Sequence, residues 1–133
     1  AIKEASGNIS QIAKLAQLCG DEIDIYSGND DQIIPVLSLG GKGVISVLSN
    51  ILPYETHKMC EYALNGDYKN ASDLQIKYFK LVKALFCEVN PIPVKMAMNL
   101  MGFEVGGLRM PLTELTPGNT EKLANAMKAF GIL

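Results

Sequence analysis

The sequence predicts an α/β fold, with strands and helices alternating in the first half and helices alone in the second. Two observations carry that prediction. Strand-like runs recur at residues 1–4, 22–27 and 43–49, separated by segments with helical spacing, and no further strand pattern follows Gly66. The connections between them are also short, so the strands are expected to form a parallel sheet with right-handed crossovers.

Each element has its own local reasons. Residues 1–4 read as the end of a strand, and Ser6-Gly7-Asn8 as a turn with Asn8 or Ser6 able to cap a helix. From Ile9 onward Ile12, Leu15, Ala16 and Cys19 recur at helical spacing, and Gly20 stops the helix. Residues 22–27 alternate polar and apolar up to Gly28, which reads as a second strand. Asn29-Asp30-Asp31 supplies carboxylates and capping groups for a helix running through Ile33, Val36 and Leu37 to Gly40-Gly41. Residues 43–49 form a β-branched apolar run suited to a buried parallel strand. Pro53 opens a helix that ends near Asn65-Gly66. Beyond it, residues 67–87 carry a long amphipathic pattern, Asn90-Pro91-Ile92-Pro93 breaks it, and residues 94–101 form a short helix closed by Gly102. A loop punctuated by Pro111 and Pro117 leads to a last helix over 120–130, ended by Gly131. Two parts are therefore expected, an α/β part over 1–66 and a helical part over 67–133.

Composition narrows the function. The chain has 133 residues, 48% hydrophobic and 20% charged, with a net charge of −2. Such a balance offers no basic field for nucleic acid, and no apolar run reaches the roughly 18 residues that span a bilayer. Cys19, Cys60 and Cys87 are scattered and lack CxxC spacing, consistent with structural thiols in a reducing cytoplasm. His57 is the only histidine, so Ser-His-Asp chemistry and multi-histidine metal sites have little to build on; it reads as a helix-surface residue. The abrupt start at Ala1-Ile2-Lys3 reads as a chain entered partway through a strand. Three strands cannot close an eight-stranded barrel, which typically takes about 250 residues.

Five strings in order carry a family resemblance that covers essentially the whole chain. Ile2-Lys3-Glu4-Ala5-Ser6-Gly7-Asn8 resembles the sixth-strand motif of the dihydrodipicolinate synthase family, in which the lysine forms an imine with pyruvate. Tyr26-Ser27-Gly28-Asn29-Asp30 resembles the seventh-strand motif, and the run from Gly40 to Val47 the eighth. Asn90-Pro91-Ile92-Pro93-Val94-Lys95 and Leu108-Arg109-Met110-Pro111-Leu112 are similar to the helical region that follows. The resemblance implies the C-terminal part of a (β/α)8 TIM barrel, strands six to eight, followed by a helical region. It also implies a cytoplasmic homotetramer that condenses pyruvate with aspartate semialdehyde on the route to diaminopimelate and lysine. Lys3 is then the catalytic residue, working through a covalent imine with no cofactor and no metal. Ile45 is implied as a backbone contact to pyruvate, while its side chain reads as core.

The chemistry of the motif is demanding. An amine attacks a ketone only when unprotonated, and a free lysine has a pKa of about 10.4. Desolvation or a neighbouring cation must lower that value. Most lysines are solvated surface charges, and without the motif Lys3 would be read as one. If Lys3 points into a barrel, Ile2 and Glu4 point outward to the helix layer. Gly28 allows close backbone approach to a substrate, or simply makes the turn. Asn29 is positioned either to bind the second substrate or to cap its helix, and Asp30 reads as a cap. Arg109, the only arginine, reads as an inter-helix or inter-subunit salt bridge. Met96, Met98 and Met101 read as packing residues.

The resemblance also implies what is absent. The family's proton-relaying tyrosine, the threonine for the pyruvate carboxylate and an arginine for the second substrate all precede the lysine strand. The segment alone is accordingly expected to be nearly inactive and to associate, with the missing N-terminal half or with further copies. Two alternatives stand beside this one: another pyruvate-dependent aldolase of the superfamily, acting on neuraminate or keto-sugar acids, and a non-catalytic barrel fragment that only self-associates.

Overall fold

A computed structural model describes the whole chain, Ala1–Leu133. It contains three parallel strands, β1 (Ile2–Glu4), β2 (Ile25–Ser27) and β3 (Gly43–Val44), and six α-helices. The helices are α1 (Ile9–Cys19), α2 (Ile33–Ser38), α3 (Pro53–Leu64), α4 (Tyr68–Leu85), α5 (Ile92–Leu100) and α6 (Pro117–Ala129). Short 3-10 turns occupy Asp30–Gln32 and Leu48–Asn50. The chain divides into two compact units, Ala1–Lys77 and Tyr78–Leu133, with the division inside α4. The last strand, by contrast, ends well before Gly66.

In the first unit the sheet order is β1-β2-β3, with Lys3 level with Tyr26 and Tyr26 level with Gly43. Helix α1 starts where Asn8 Oδ1 accepts the Gln11 N–H at 3.1 Å, and it stops at Gly20, whose φ of 51° suits a residue without a Cβ. Ile12 on α1, Ile25 on β2 and Val36 on α2 form a buried cluster, with Leu15, Ala16 and Leu39 packed around it. Each of these fully buried aliphatic side chains contributes about 1.5–3 kcal/mol relative to exposure. Gln75 near the middle of α4 ties in α2: its Oε1 accepts the Ile34 N–H at 2.8 Å and its Nε2 donates to the Asp31 carbonyl at 2.5 Å.

The second unit is helical. Leu81, Leu85, Leu123 and Met127 are fully buried there, and Tyr78 packs on Phe130 with ring centroids 5.2 Å apart. Pro93 lies within the first turn of α5, and Pro117 is the first residue of α6. Both were expected outside helices. A proline in the first turn gives up an N–H that has no helical partner in any case, so it starts a helix as readily as it ends one.

The strands are shorter than their sequence patterns. Residues 22–24 lie outside β2 because the Glu22 N–H is spent on the Cys19 carbonyl in the turn that leaves α1. Residues 45–49 lie outside β3 although they are apolar and β-branched. There the backbone is drawn off the sheet by a buried carboxylate described below. No helix is long and apolar enough to cross a membrane.

Candidate functional site

Side chains alternate along strands, so Lys3, Tyr26 and Gly43 share one face of the sheet and Glu4, Ile25 and Ser27 the other. Glu4, Ile25 and Ser27 are buried under the helices at 8%, 4% and 0% exposure. Glu4 therefore points to the helix layer as expected, while Ile2 on the same side is half open at 36%. The Glu4 carboxylate takes the Ser6 N–H at 2.6 Å, and these Ser6 contacts, with a smaller one from Gln11, hold its pKa below the ordinary glutamate value. Glu4 thereby fixes the turn that immediately follows Lys3.

The opposite face is open. Lys3 is exposed, Tyr26 is partly covered, and the Tyr26 ring lies against Gly43, where a Cβ would stand 3.4 Å from it. Ile45, two residues beyond Gly43, continues this face, and its side chain is 50% exposed. It does not join the core of this segment, contrary to the expectation from its apolar character. Strand alternation places it on the uncovered side.

Gly28 sits against the lysine. A Cβ there would lie 2.6 Å from Ala5 Cβ, 3.0 Å from Lys3 Cε and 3.1 Å from the Glu4 carbonyl oxygen. The Gly28 N–H donates to that same carbonyl at 2.6 Å. The glycine is required by this approach of two strand ends, and the approach is what seats the Lys3 side chain. Asn29 makes no side-chain capping bond, and its Nδ2 lies toward Gly7, whose loop is also held by Gln32 Nε2 donating to the Gly7 carbonyl at 3.0 Å. The loops after β1 and β2 thus meet at the carboxyl ends of the strands.

Asp30 is the residue that the motif reading underrated. It was expected to cap its own helix. Instead it is buried at 2% exposure and reaches across to the chain after β3. Its Oδ2 accepts the N–H groups of Val47 at 2.9 Å and Leu48 at 3.1 Å, and its Oδ1 accepts a hydrogen bond from the Ser46 hydroxyl. Ser46 Oγ in turn accepts the Ser49 N–H at 2.8 Å. This arrangement ends β3 and nucleates the turn at Leu48–Asn50, overriding strand propensity. The only sequence signal was the Ser46-x-x-Ser49 spacing, a weak cap pattern inside an apolar run. Asp30 also adds to the effect of burial in pushing the Cys60 thiol above its ordinary value.

One backbone group is left over. In a parallel ladder, the rung after Ile45 N–H to Ser27 O (2.8 Å) would run from the Asn29 N–H to the Ile45 carbonyl. The Asn29 N–H is given instead to Ser27 Oγ at 3.2 Å, while Ser27 Oγ donates to the Asn29 carbonyl at 2.9 Å. The Ile45 carbonyl thereby accepts nothing within the chain. It stands free beyond the ends of β2 and β3, on the strand next to the one that neighbours Lys3.

The remaining sequence candidates lie elsewhere. His57 is exposed on α3, as expected. Arg109 makes no ion pair within the chain, so the inter-helix bridge expected of it is not formed; the two ion pairs are Lys58–Glu61 and Lys69–Asp73. No group of three or more His, Cys, Asp or Glu side chains lies close enough to hold a metal ion.

Comparison with known proteins places these features in context. The model of the dihydrodipicolinate synthetase family matches residues 1–130. A 4-hydroxy-tetrahydrodipicolinate synthase from Caldicellulosiruptor bescii is 64% identical over 99% of this chain and 44% of its own length. One from Clostridium perfringens strain SM101 is 59% identical over 100% of this chain and 46% of its own. The crystal structure of dihydrodipicolinate synthase from Thermotoga maritima superimposes with a TM-score of 0.93 at 41% identity, covering 99% of this chain and 46% of that one. The chain thus spans a little under half the length of the relatives it matches.

Proposed function

Because the chain belongs to the dihydrodipicolinate synthetase family, we propose that it forms the lysine-bearing part of a Schiff-base lyase that condenses pyruvate with aspartate semialdehyde. The single observation that carries this reading is the seating of Lys3 against Gly28, one strand away from the free Ile45 carbonyl, at the carboxyl ends of three parallel strands. Active sites of α/β barrels form at that end.

The chemistry follows from the groups present. Unprotonated Lys3 Nζ attacks the C2 carbonyl of pyruvate, and the carbinolamine takes up a proton from a general acid and loses water to give a protonated imine. The positive iminium acidifies the adjacent methyl group, a general base from the other strands takes one of its protons, and the resulting enamine carbon attacks the aldehyde of the second substrate. A carbonyl acceptor such as that of Ile45 suits the iminium N–H, because it strengthens as positive charge develops. Gly28 holds the lysine stem in register, and in this reading Asn29, whose amide lies toward the Gly7 loop, serves the second substrate. No cofactor beyond the lysine itself is invoked.

Lys3 is exposed in this segment. An imine-forming amine needs a drier setting, and in this reading the remaining strands of a (β/α)8 barrel supply it. The segment is then strands six to eight of that barrel plus the helical region, working in the cytoplasm as part of a homo-oligomer. General acid–base groups on the other strands account for about 10²–10⁴-fold of the rate, so the segment alone is nearly inactive.

Borohydride reduction in the presence of pyruvate, followed by peptide mass spectrometry of the full-length protein, tests the assignment. The expected result is one adduct, on Lys3, lost in Lys3→Arg. An adduct on another lysine, or none, overturns it. Comparing aspartate semialdehyde with sugar-derived aldehydes as acceptors then separates this reaction from that of a neuraminate or keto-sugar-acid lyase.

A further inference from the structure

We infer that Asp30 is a positioning residue for the keto-acid end of the site, acting through the Ile45–Ser46 peptide; this rests on the reading of Lys3 and Ile45 above. Asp30 carries a carboxylate that is almost wholly buried and has no cationic partner in the chain. Burying a charge is costly unless hydrogen bonds replace its water. Three donors do so here, and all three come from consecutive residues, Ser46, Val47 and Leu48.

A simple turn cap needs only one acceptor oxygen, which asparagine or serine also provides. Asp30 uses both. Oδ2 gathers the two backbone N–H groups, and Oδ1 takes the Ser46 hydroxyl from the other side. The carboxylate therefore fixes the backbone of residues 47–48 and the side chain of residue 46 together. On the upstream side the Ile45 N–H is held by the Ser27 carbonyl at 2.8 Å. The peptide linking Ile45 to Ser46 is thus clamped at both ends, and its carbonyl is the one acceptor left free. Asp30 leaves the chain two residues after Gly28, so one short segment both seats Lys3 and holds the chain that carries the Ile45 carbonyl. Asp30 itself touches no substrate in this arrangement.

Asparagine at position 30 preserves shape but presents only one acceptor oxygen. Its amide then meets either the Val47 and Leu48 N–H groups or the Ser46 hydroxyl, which must turn round to accept. Ser46→Ala is the milder change, removing one bond and leaving the carboxylate on the two N–H groups.

The test is a pyruvate titration of borohydride trapping at Lys3 in the full-length protein, for the unsubstituted form, Asp30→Asn, Ser46→Ala and the double variant, alongside the KM for the aldehyde. Misplacement of a reacting partner by a fraction of an ångström to 1 Å costs up to about 10²-fold. The half-saturating pyruvate concentration is expected to rise roughly 10–10²-fold in Asp30→Asn and by less in Ser46→Ala, with the aldehyde KM unchanged. The double variant should be no worse than Asp30→Asn, because both changes break one unit. Folded variants with the unsubstituted titration curve overturn the role of Asp30; should Asp30→Asn fail to fold, an unshifted Ser46→Ala curve does so by itself. If the unsubstituted protein forms no Lys3 adduct, the reading of the site fails first and this inference falls with it.

Discussion

Gly28 shows how much of the site hangs on the absence of one methyl group. Its backbone lies against Ala5 Cβ, Lys3 Cε and the Glu4 carbonyl, all three closer to a hypothetical Cβ than ordinary contact allows. Two of those neighbours are a rigid methyl and a backbone oxygen, so neither can yield cheaply. Gly28→Ala is expected to destabilise the protein by about 1–3 kcal/mol, as overpacking usually does. It should also lower the rate of pyruvate trapping at Lys3 in the fraction that remains folded. A chemical melt and a trapping time course measure the two effects, and an alanine variant that is normal in both removes Gly28 from the site. The glycine was legible in the sequence as a turn residue, but its contact with the lysine was not, because the two lie on different strands.

Among the elements, the ends of helices were read more accurately than the ends of strands. Asn8 and Gly20 bracket α1 as local chemistry requires, and Pro53 opens α3. β3 was overestimated because its propensity is local while the carboxylate that terminates it comes from Asp30. Helix α6 offers a parallel case in the second unit. Thr116 makes no side-chain capping bond there. Instead Glu88 Oε1 accepts from Asn119 Nδ2 and Thr116 Oγ, both at 2.7 Å, and from the Thr116 N–H at 3.1 Å. Those bonds, Asn119 foremost, then the Thr116 hydroxyl and N–H, hold the Glu88 pKa below its ordinary value. A carboxylate with a depressed folded-state pKa stabilises fully above its unfolded pKa and loses that contribution as the pH falls through the folded value. Stability should therefore decline on the acid side of the ordinary carboxylate range, and Glu88→Gln should flatten that part of the decline while lowering stability at neutral pH. Urea midpoints measured across the acid limb check both signs; an unchanged acid limb would remove Glu88 as the cap of α6.

For the whole molecule, the sheet is the decisive feature. β1 and β3 each pair on one side only, and the face bearing Lys3, Tyr26 and Ile45 is uncovered. Unpaired parallel edges and an exposed inner face favour association. The 133-residue chain by itself should show a scattering mass that rises with concentration, and should gain order when a polypeptide carrying the other strands is added. A monodisperse monomer at every concentration would defeat this expectation. The same openness leaves Lys3 without the dry surroundings that the imine-forming role proposed for it requires.

Taken alone, the sequence determined the α/β class, the order of the elements and the family, and singled out Lys3 as the candidate nucleophile, because all of these are written in periodicity and in contiguous strings. Tertiary structure decided where β3 ends, which side of the sheet Ile45 occupies, and that Asp30 serves the chain after β3 rather than its own helix. The physical reason is the same in each case. Strand length and carboxylate partners depend on groups brought together across many residues of chain, whereas propensity and motif record only near neighbours. Gly28 and Asp30, two residues apart, take their meaning from Lys3 on one side and Ser46 on the other, and only the folded sheet puts those partners within reach.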